Sequence, residues 1–329
     1  MTSTPRTFRS LLGGVTLLLG FALVGQAMAQ TWTQLSPAGG PPTARYSHTA
    51  VRDTTTNRMV IFGGGSGYPV PAMLNDVWVL ESADGLGGTP TWTQLNPGSG
   101  PSARGQHSSV YDPATNRMIV FGGDQSIAFC SNAANDVWVL SNANGLGGTP
   151  SWQQLNPVGG PPSARKGHSA GYDPANNRMI VFGGGTKQGC PLVDSEVWVL
   201  TNASGLGGVP TWAQRRPTGG PTALIEHSYV YDPGSNRLIV FGGCSNVDCL
   251  PDTWVLSNAN GLGGTPVWTQ LSPTGGPPRA RIWSTAVYDP ATNRMTIYSG
   301  EGCVSFCNDV WVLSNANGLG GTPNWTELS

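Results

Sequence analysis

The chain has 329 residues, enough for one large or two average domains, with a net charge of −1 and only 11% charged residues. That balance excludes the electrostatic footprint of a protein that grips nucleic acid or an anionic membrane surface. Glycine (47) and proline (27) are abundant, but 12 evenly spaced tryptophans exclude a disordered, low-complexity chain.

Residues 1–29 read as a cleavable export signal. Arg6 and Arg9 form a positive start, Leu11 to Val24 is a short apolar stretch interrupted by Gly13, Gly14 and Gly20, and Ala27-Met28-Ala29 is an A-x-A cleavage site. The mature chain is expected to begin at Gln30. The apolar stretch is short for a bilayer span, and no cysteine follows the cleavage site to carry a lipid. The expected product is soluble, without membrane insertion, and either secreted or periplasmic.

From there the chain repeats. Trp-x-Gln-Leu or a close variant begins at Trp32, Trp92, Trp152, Trp212, Trp268 and Trp325, at spacings of 60, 60, 60, 56 and 57 residues. Phe-Gly-Gly begins at Phe62, Phe121, Phe182 and Phe241 and becomes Tyr298-Ser299-Gly300 in the last copy. An acid two residues before Trp-Val-Leu recurs as Asp76, Asp136, Glu196, Asp252 and Asp309. His48, His107, His168 and His227 share one register, which Ser284 fills in the fifth copy.

Each copy predicts four strands. In the second, His107 to Tyr111 is strand a, and Asp112-Pro-Ala-Thr-Asn116 is a tight turn whose Pro presets φ and whose Asp and Asn suit turn geometry. Arg117 to Phe121 is strand b, apolar on both faces as a strand between stacked sheets must be. Val137 to Leu140 is strand c, and Trp152 to Leu155 is the outer strand d. The predicted fold is all-β: a β-propeller of five four-stranded blades at about 41–95, 101–155, 161–215, 221–271 and 277–328. Five a-b-c sets stand against six d strands, so Trp32–Leu35 and Trp325–Leu328 compete for one place. Residues 31–35 are the expected surplus outer strand.

The Arg-x-x-His-Ser/Thr opening, the Gly-Gly closing strand b and the Trp of strand c resemble the kelch repeat, over essentially all of residues 31–329. The repeats are longer than usual for that family, and five is a low blade count. The resemblance implies a kelch-type propeller. It brings galactose oxidase to mind, but no copper ligand set matches here. It also brings in sugar-isomerising propellers, for which no specific residue pair is found. No nucleophile-elbow, zinc-protease or phosphate-loop motif is present, and no cofactor is implied.

In such a blade the a–b and c–d connections share one face, and the b–c and d–a connections the other. The first set is nearly identical in every copy and reads as scaffold. The b–c loops differ in every copy, which is where binding on a rigid scaffold resides. All six cysteines lie in b–c loops. Cys244 with Cys249 and Cys303 with Cys307 are expected as local disulfides, and Cys130 with Cys190 as a clip between adjacent blades. Their spacings are poor for zinc, and the four in-register histidines read as repeat residues rather than metal ligands.

Arg45, Arg104, Arg165 and Arg281 share a register near the variable face, where they could bind an anion or pair with the repeated acids. In copy four Leu224 replaces the Arg, and Arg215 or Arg216 is expected to restore the pair. The residues that break the repeat mark a candidate ligand site: Trp283, Glu226, Arg281, Arg165, Lys166 and Tyr68, with Lys187, Asp124, Asp194, Asp248 and Glu301 on the same face. Trp283 takes the register of Ser47, Gln106, Gly167 and Glu226, where an aromatic ring could stack on a sugar or simply fill space beside Ser284. The sequence therefore favours an exported, non-catalytic module that binds a protein or a glycan on the b–c and d–a face. The alternatives are a carbohydrate-active enzyme with its site at the channel mouth, and a structural role through the surplus strand.

Overall fold

The computed structural model describes residues 31–67, 72–126, 132–185, 193–302 and 306–328. It divides into an N-terminal unit, Met1–Thr33, and a unit Gln34–Ser329 that carries every strand among the described residues. The second unit is a propeller of five antiparallel blades, each taken from one continuous stretch of chain in the order a-b-c-d. The strands of blade one are Thr49–Asp53, Arg58–Ser66, Ala72–Glu81 and Thr91–Leu95, with a short extra strand Arg45–Tyr46 paired to the end of strand b. Those of blade two are Ser108–Asp112, Arg117–Asp124, Ala133–Ser141 and Ser151–Leu155. Blade three has Ser169–Asp173, Arg178–Phe182, Val197–Thr201 and Thr211–Arg215, and blade four has Ser228–Asp232, Arg237–Phe241, Thr253–Ser257 and Val267–Leu271. Blade five has Thr285–Asp289, Arg294–Tyr298, Val310–Ser314 and Asn324–Leu328.

This settles the competition between the two terminal segments. Asn324–Leu328 is strand d of blade five, paired with strand c from Val310↔Leu328 to Ser314↔Asn324. Residues 31–35 form no strand, which corrects the expected surplus outer strand. The physical reason is that strand d of blade one is already Thr91–Leu95, and blade five has its own. Strand a begins one residue later than the repeat predicts, because the histidine closes the preceding turn rather than joining the ladder. In blades one and two, strands b and c run on past a bulge at Phe62/Gly64 and Phe121/Gly123.

The a–b turn is closed by its Asp. Asp112 accepts from Ala114 N at 3.1 Å and from the Thr115 hydroxyl, and Asn116 adopts φ 52°, a left-handed conformation that Asn tolerates. The Gly-Gly after strand b is required by close approach. A Cβ on Gly122 would lie 2.8 Å from Arg165 O, and one on Gly123 would lie 2.6 Å from His107 Cβ.

The core lies between blades, and four junctions repeat one design. The strand-b Phe of one blade meets the strand-d Trp of the next: Phe62 with Trp152, Phe121 with Trp212, Phe182 with Trp268 and Phe241 with Trp325, at centroid distances of 4.8–5.1 Å. Such aromatic pairs add about 0.5–1.5 kcal/mol beyond their buried area. Around them Ile119, Val139, Val181 and Leu200 are fully buried. The a–b turn Asp is reached by an Asn amide from the next blade's c–d connection: Asn144 to Asp53 at 2.7 Å, Asn260 to Asp173 at 2.6 Å and Asn317 to Asp232 at 2.8 Å. The sameness of the a–b and c–d connections is thus explained: they are the bolts between blades.

Candidate functional site

Strand a of each blade lies innermost, since strands a of successive blades are the ones in contact. Just before each strand a, the chain turns through a left-handed residue: Ser47, Gln106, Gly167, Glu226 and Trp283, with φ from 53° to 61°. These residues are threaded together by backbone bonds, Gln106 N to Ser47 O and Gly167 N to Gln106 O at 2.9 Å, Glu226 N to Gly167 O at 2.8 Å, and Trp283 N to Glu226 O at 3.2 Å. The result is a step-by-step track around the mouth of the channel, on the variable face. The left-handed turn is a feature of every copy, and only in copy five does a residue as bulky as Trp283 occupy it.

Side chains meet along this track. Glu226 accepts from Gln106 Nε2 at 2.6 Å, across blade three. The bridge passes over Gly167, where a Cβ would lie 2.7 Å from Ile225 and 3.1 Å from Glu226. Burial pushes the Glu226 carboxyl above the usual range, against the opposing pull of the Trp283 indole bond, the Lys166 charge and Gln106. The indole of Trp283 remains 46% exposed. Lys166 is buried and its Nζ sits 3.1 Å from Asp124 Oδ2.

The four register arginines are consumed by internal bonds. Arg104 is buried and donates from Nη1 to Asp136 Oδ1 at 2.6 Å and to Gly122 O at 2.9 Å, and from Nη2 to Asp136 Oδ2 at 2.9 Å. Arg45 forks onto Asp76 and Arg281 onto Asp309 in the same way, while Arg165 reaches both Glu196 (2.9 Å) and Asp194 (3.3 Å). The strand-c Trp completes each of these paired acids, as Trp138 Nε1 does for Asp136 at 2.7 Å, whereas Trp254 of blade four leaves its Nε1 unbonded. Mutual pairing is therefore what the structure forms, and Arg165 and Arg281 point inward rather than toward a ligand. In copy four the expected replacement pair is absent among the described residues. Leu224 is buried in the core instead, and Arg215 turns its guanidinium over Gly261, at the end of strand d.

The histidines serve as packing residues. His107 Nε2 bonds Thr49 Oγ1 at 2.7 Å and His168 Nε2 bonds Ser108 Oγ at 2.8 Å, each ring standing edge-on to a strand-b Phe. Burial drives His107 and His227 down to about 3, and His168 well below the usual histidine range. Among the described residues no cluster of His, Cys, Asp and Glu could hold a metal ion.

Of the predicted site residues, the structure brings Glu226, Trp283 and Lys166 to one face. Tyr68 and Lys187 lie outside the described residues, as do Cys130, Cys190 and Cys303. Cys244 and Cys249 form a disulfide, and Cys307 is itself disulfide-bonded. Sequence reasoning missed Gln106 as the partner of Glu226, and missed Tyr46, Val247 and Phe306 as exposed apolar groups on this face; Val247 is 86% and Phe306 72% exposed. Val247 and Phe306 lie in variable b–c loops, whereas Tyr46 and Gln106 lie just before strand a, where the copies also differ from one another. A shallow depression beside blades three and four is lined by Glu196, Gln214, Arg216 and Trp268.

The disulfide ties a six-residue loop, so its stabilising effect is small. Reducing it, or replacing both cysteines by Ser, is expected to lower stability by no more than about 2 kcal/mol. A thermal melt of the Cys244→Ser/Cys249→Ser variant beside the wild type checks this; a collapse of the whole fold would contradict it.

The chain matches the model of the KLHDC2/KLHL20/DRC7 Kelch-repeats domain over residues 22–145 and 147–329. It is 25% identical over 232 residues to a "Rab9 effector protein with kelch motifs" of Xenopus laevis, covering 69% of this chain and 57% of the relative. It is 27% identical over 274 residues to "Adagio-like protein 1" of Oryza sativa subsp. japonica, covering 79% and 39%. The chain thus spans well under two thirds of these relatives. Among solved structures, "Structure of YjhT" aligns over 92% of this chain and 89% of that one, with a TM-score of 0.65 at 15% identity, a likeness of fold alone.

Proposed function

Because the chain belongs to the kelch-repeat family, whose propellers are typically protein-interaction modules, we propose that it is an exported binding module that holds a protein partner on its b–c and d–a face. One observation carries the reading. The register cations Arg45, Arg104, Arg165 and Arg281 are spent on internal carboxylates, while Trp283, Val247, Phe306 and Tyr46 stand exposed on that face. Apolar and aromatic groups on a rigid, charge-neutralised platform suit a protein interface, where a few aromatic anchors dominate the energy. A relative carries the name of a Rab9 effector, which adds support for protein partners. Export belongs to the same proposal. It rests on the signal-like residues 1–29 and on the disulfide, which persists in an oxidising compartment.

A second reading is carbohydrate binding or turnover at the channel mouth, favoured by the Trp283 ring beside the buried Glu226 carboxyl. A thermal-shift screen of the protein against a glycan panel separates the two. The protein-binding reading predicts no sugar-dependent rise in melting temperature. A rise that is lost in Trp283→Ala would put the carbohydrate reading first. Against a protein partner, Trp283→Ala is expected to weaken affinity about 30-fold, as loss of an aromatic anchor does. Its own melting temperature should stay near wild type, since the ring is half-exposed and its backbone strained.

A further inference from the structure

Blade four keeps the frame of the arginine clamp and lacks its arginine. In the other four blades Arg45, Arg104, Arg165 and Arg281 each donate to the carbonyl that follows the strand-b aromatic residue and to the acid two residues before the strand-c Trp. In blade four Leu224 stands in the arginine's backbone place. Its carbonyl accepts from Gly184 N at 2.9 Å, as Arg104 O accepts from Gly64 N at 2.8 Å and Arg281 O from Gly243 N at 2.9 Å. The receiving side is in register too. Gly242 N bonds Asp252 O at 3.0 Å, where blades three and five have Gly183 N to Glu196 O and Ser299 N to Asp309 O at 3.2 Å. Only the side chain has changed, from a guanidinium to an apolar group packed in the core.

Two groups of the clamp are thereby left without partners. Among the described residues Asp252 has no ion pair and its partly exposed carboxylate takes no hydrogen bond. Trp254 lies two residues on, facing the same side of the strand. Its buried Nε1 bonds nothing, where Trp78, Trp138, Trp198 and Trp311 each donate to their acid at 2.7–2.8 Å. A buried indole N–H without an acceptor costs free energy that a turn of the Asp252 carboxylate would recover. The chain's own cations do not fill the place. Arg215 ends over Gly261, and the stretch from Cys244 to Thr253 carries Asp248 and Asp252 but no Lys or Arg. Among the described residues no group of His, Cys, Asp and Glu stands there to hold a metal ion.

We propose, on the protein-binding reading above, that Asp252 receives an arginine side chain of the bound protein, which completes the blade-four clamp from outside. Arginine suits the place better than lysine. A carboxylate that takes two parallel N–H bonds matches the planar guanidinium fork, and the chain itself uses that match at Asp76, Asp136 and Asp309. Leu224 closes the inner route by which the chain's own arginines arrive, so the partner's arginine comes from the solvent side. On binding, Asp252 turns to take the guanidinium and Trp254 Nε1 together. Asp136 Oδ2 already does this with Arg104 Nη2 at 2.9 Å and Trp138 Nε1 at 2.7 Å. The same short loop exposes Val247 and is tied by the Cys244–Cys249 disulfide, so it adds an apolar contact at low cost in ordering.

The test is nitrogen–proton correlation NMR of the tryptophan indoles on the full chain, with Trp254→Phe assigning the resonance. The probe is Nα-acetyl-arginine amide, with Nα-acetyl-lysine amide beside it. The arginine probe should move the Trp254 indole signal saturably, with a dissociation constant of about 1 mM, the scale for a ligand of its size. The lysine probe should bind more weakly. Asp252→Asn, a change at a partly exposed side chain, should weaken the arginine probe by about tenfold or more. Leu224→Arg restores the chain's own clamp, so its Trp254 signal should sit at the bound position without the probe and stay there when the probe is added. A wild-type Trp254 signal that does not move would overturn the proposal. So would equal affinity for the two probes, or an Asp252→Asn variant that binds as well as the wild type. None of these results bears on the wider protein-interface reading, which the Trp283→Ala affinity measurement tests without an arginine probe.

Discussion

Acidification below about pH 6.5 is expected to destabilise the propeller by about 1.4 kcal/mol per pH unit for each fully buried histidine. His107 and His227 are held neutral in the fold by burial, with folded values of about 3, and His168 is held well below its ordinary value of 6.5. Between 6.5 and 3 the unfolded chain binds a proton at each of these positions and the folded chain does not, so stability falls as pH falls. Below about 3 both states are protonated and the loss levels off. The paired acids do not contribute above about pH 4. Asp76, Asp136 and Asp309 are held below 3.8, so their stabilisation is fully present above that value and is lost as pH falls from it toward their folded values. Glu226 and Asp194 are pushed upward by burial and act in the opposite sense. Three histidines against a typical domain stability of about 5–15 kcal/mol predict acid unfolding near pH 5. Urea melts at pH 7, 6, 5 and 4.5 measure the slope. His107→Gln should reduce it by about 1.4 kcal/mol per unit. Copy five is the internal precedent, since Ser284 takes the histidine's place and bonds Ser228 without a titrating group. A flat stability from pH 7 to 4.5 would contradict the account.

Arg104→Ala is expected to cost about 3 kcal/mol, the low end for breaking a buried ion pair. The guanidinium is buried and spends its donors on Asp136, Gly122 O, Ser102 O and Ser102 Oγ. Removing it strands those acceptors and leaves Asp136 with Trp138 Nε1. The Asp136 side chain is 22% exposed, so water recovers part of the loss. Arg104→Lys keeps the charge without the fork and should fall between the two. Arg104→Leu should be milder than Arg104→Ala, because Leu224 fills this position in copy four and packs in the core. Equilibrium urea unfolding decides; an Ala variant within 1 kcal/mol of wild type on the order-of-magnitude scale of these pairs would contradict the claim.

The fold was legible because a propeller writes its unit many times. The Phe-Gly-Gly and Trp-Val-Leu registers located strands b and c, and the Asp–Asn turn located the a–b hairpin. The pairing of Arg104 with Asp136 was legible for the same reason, as two registers on one face. What failed were features that no repeat specifies. Trp32–Leu35 carries the strand-d motif but finds no open strand c to pair with, because blade one already has its own strand d. Arg215 looked like a replacement for the missing arginine, but a strand's register fixes where its end points, and Arg215 ends over Gly261. The Gln106–Glu226 bridge spans a blade and depends on Gly167 between them, a spatial relation that linear spacing does not reveal.

Site-specific photocrosslinking tests the central claim most directly. A photoreactive phenylalanine analogue would replace Trp283 on the variable face, and Leu146 on the scaffold face as the control, with the protein exposed to extract from its own source. The account predicts protein adducts at position 283 that Phe306→Ala diminishes, and none above background at position 146. Adducts confined to position 146 would place the interaction on the scaffold face and contradict the account.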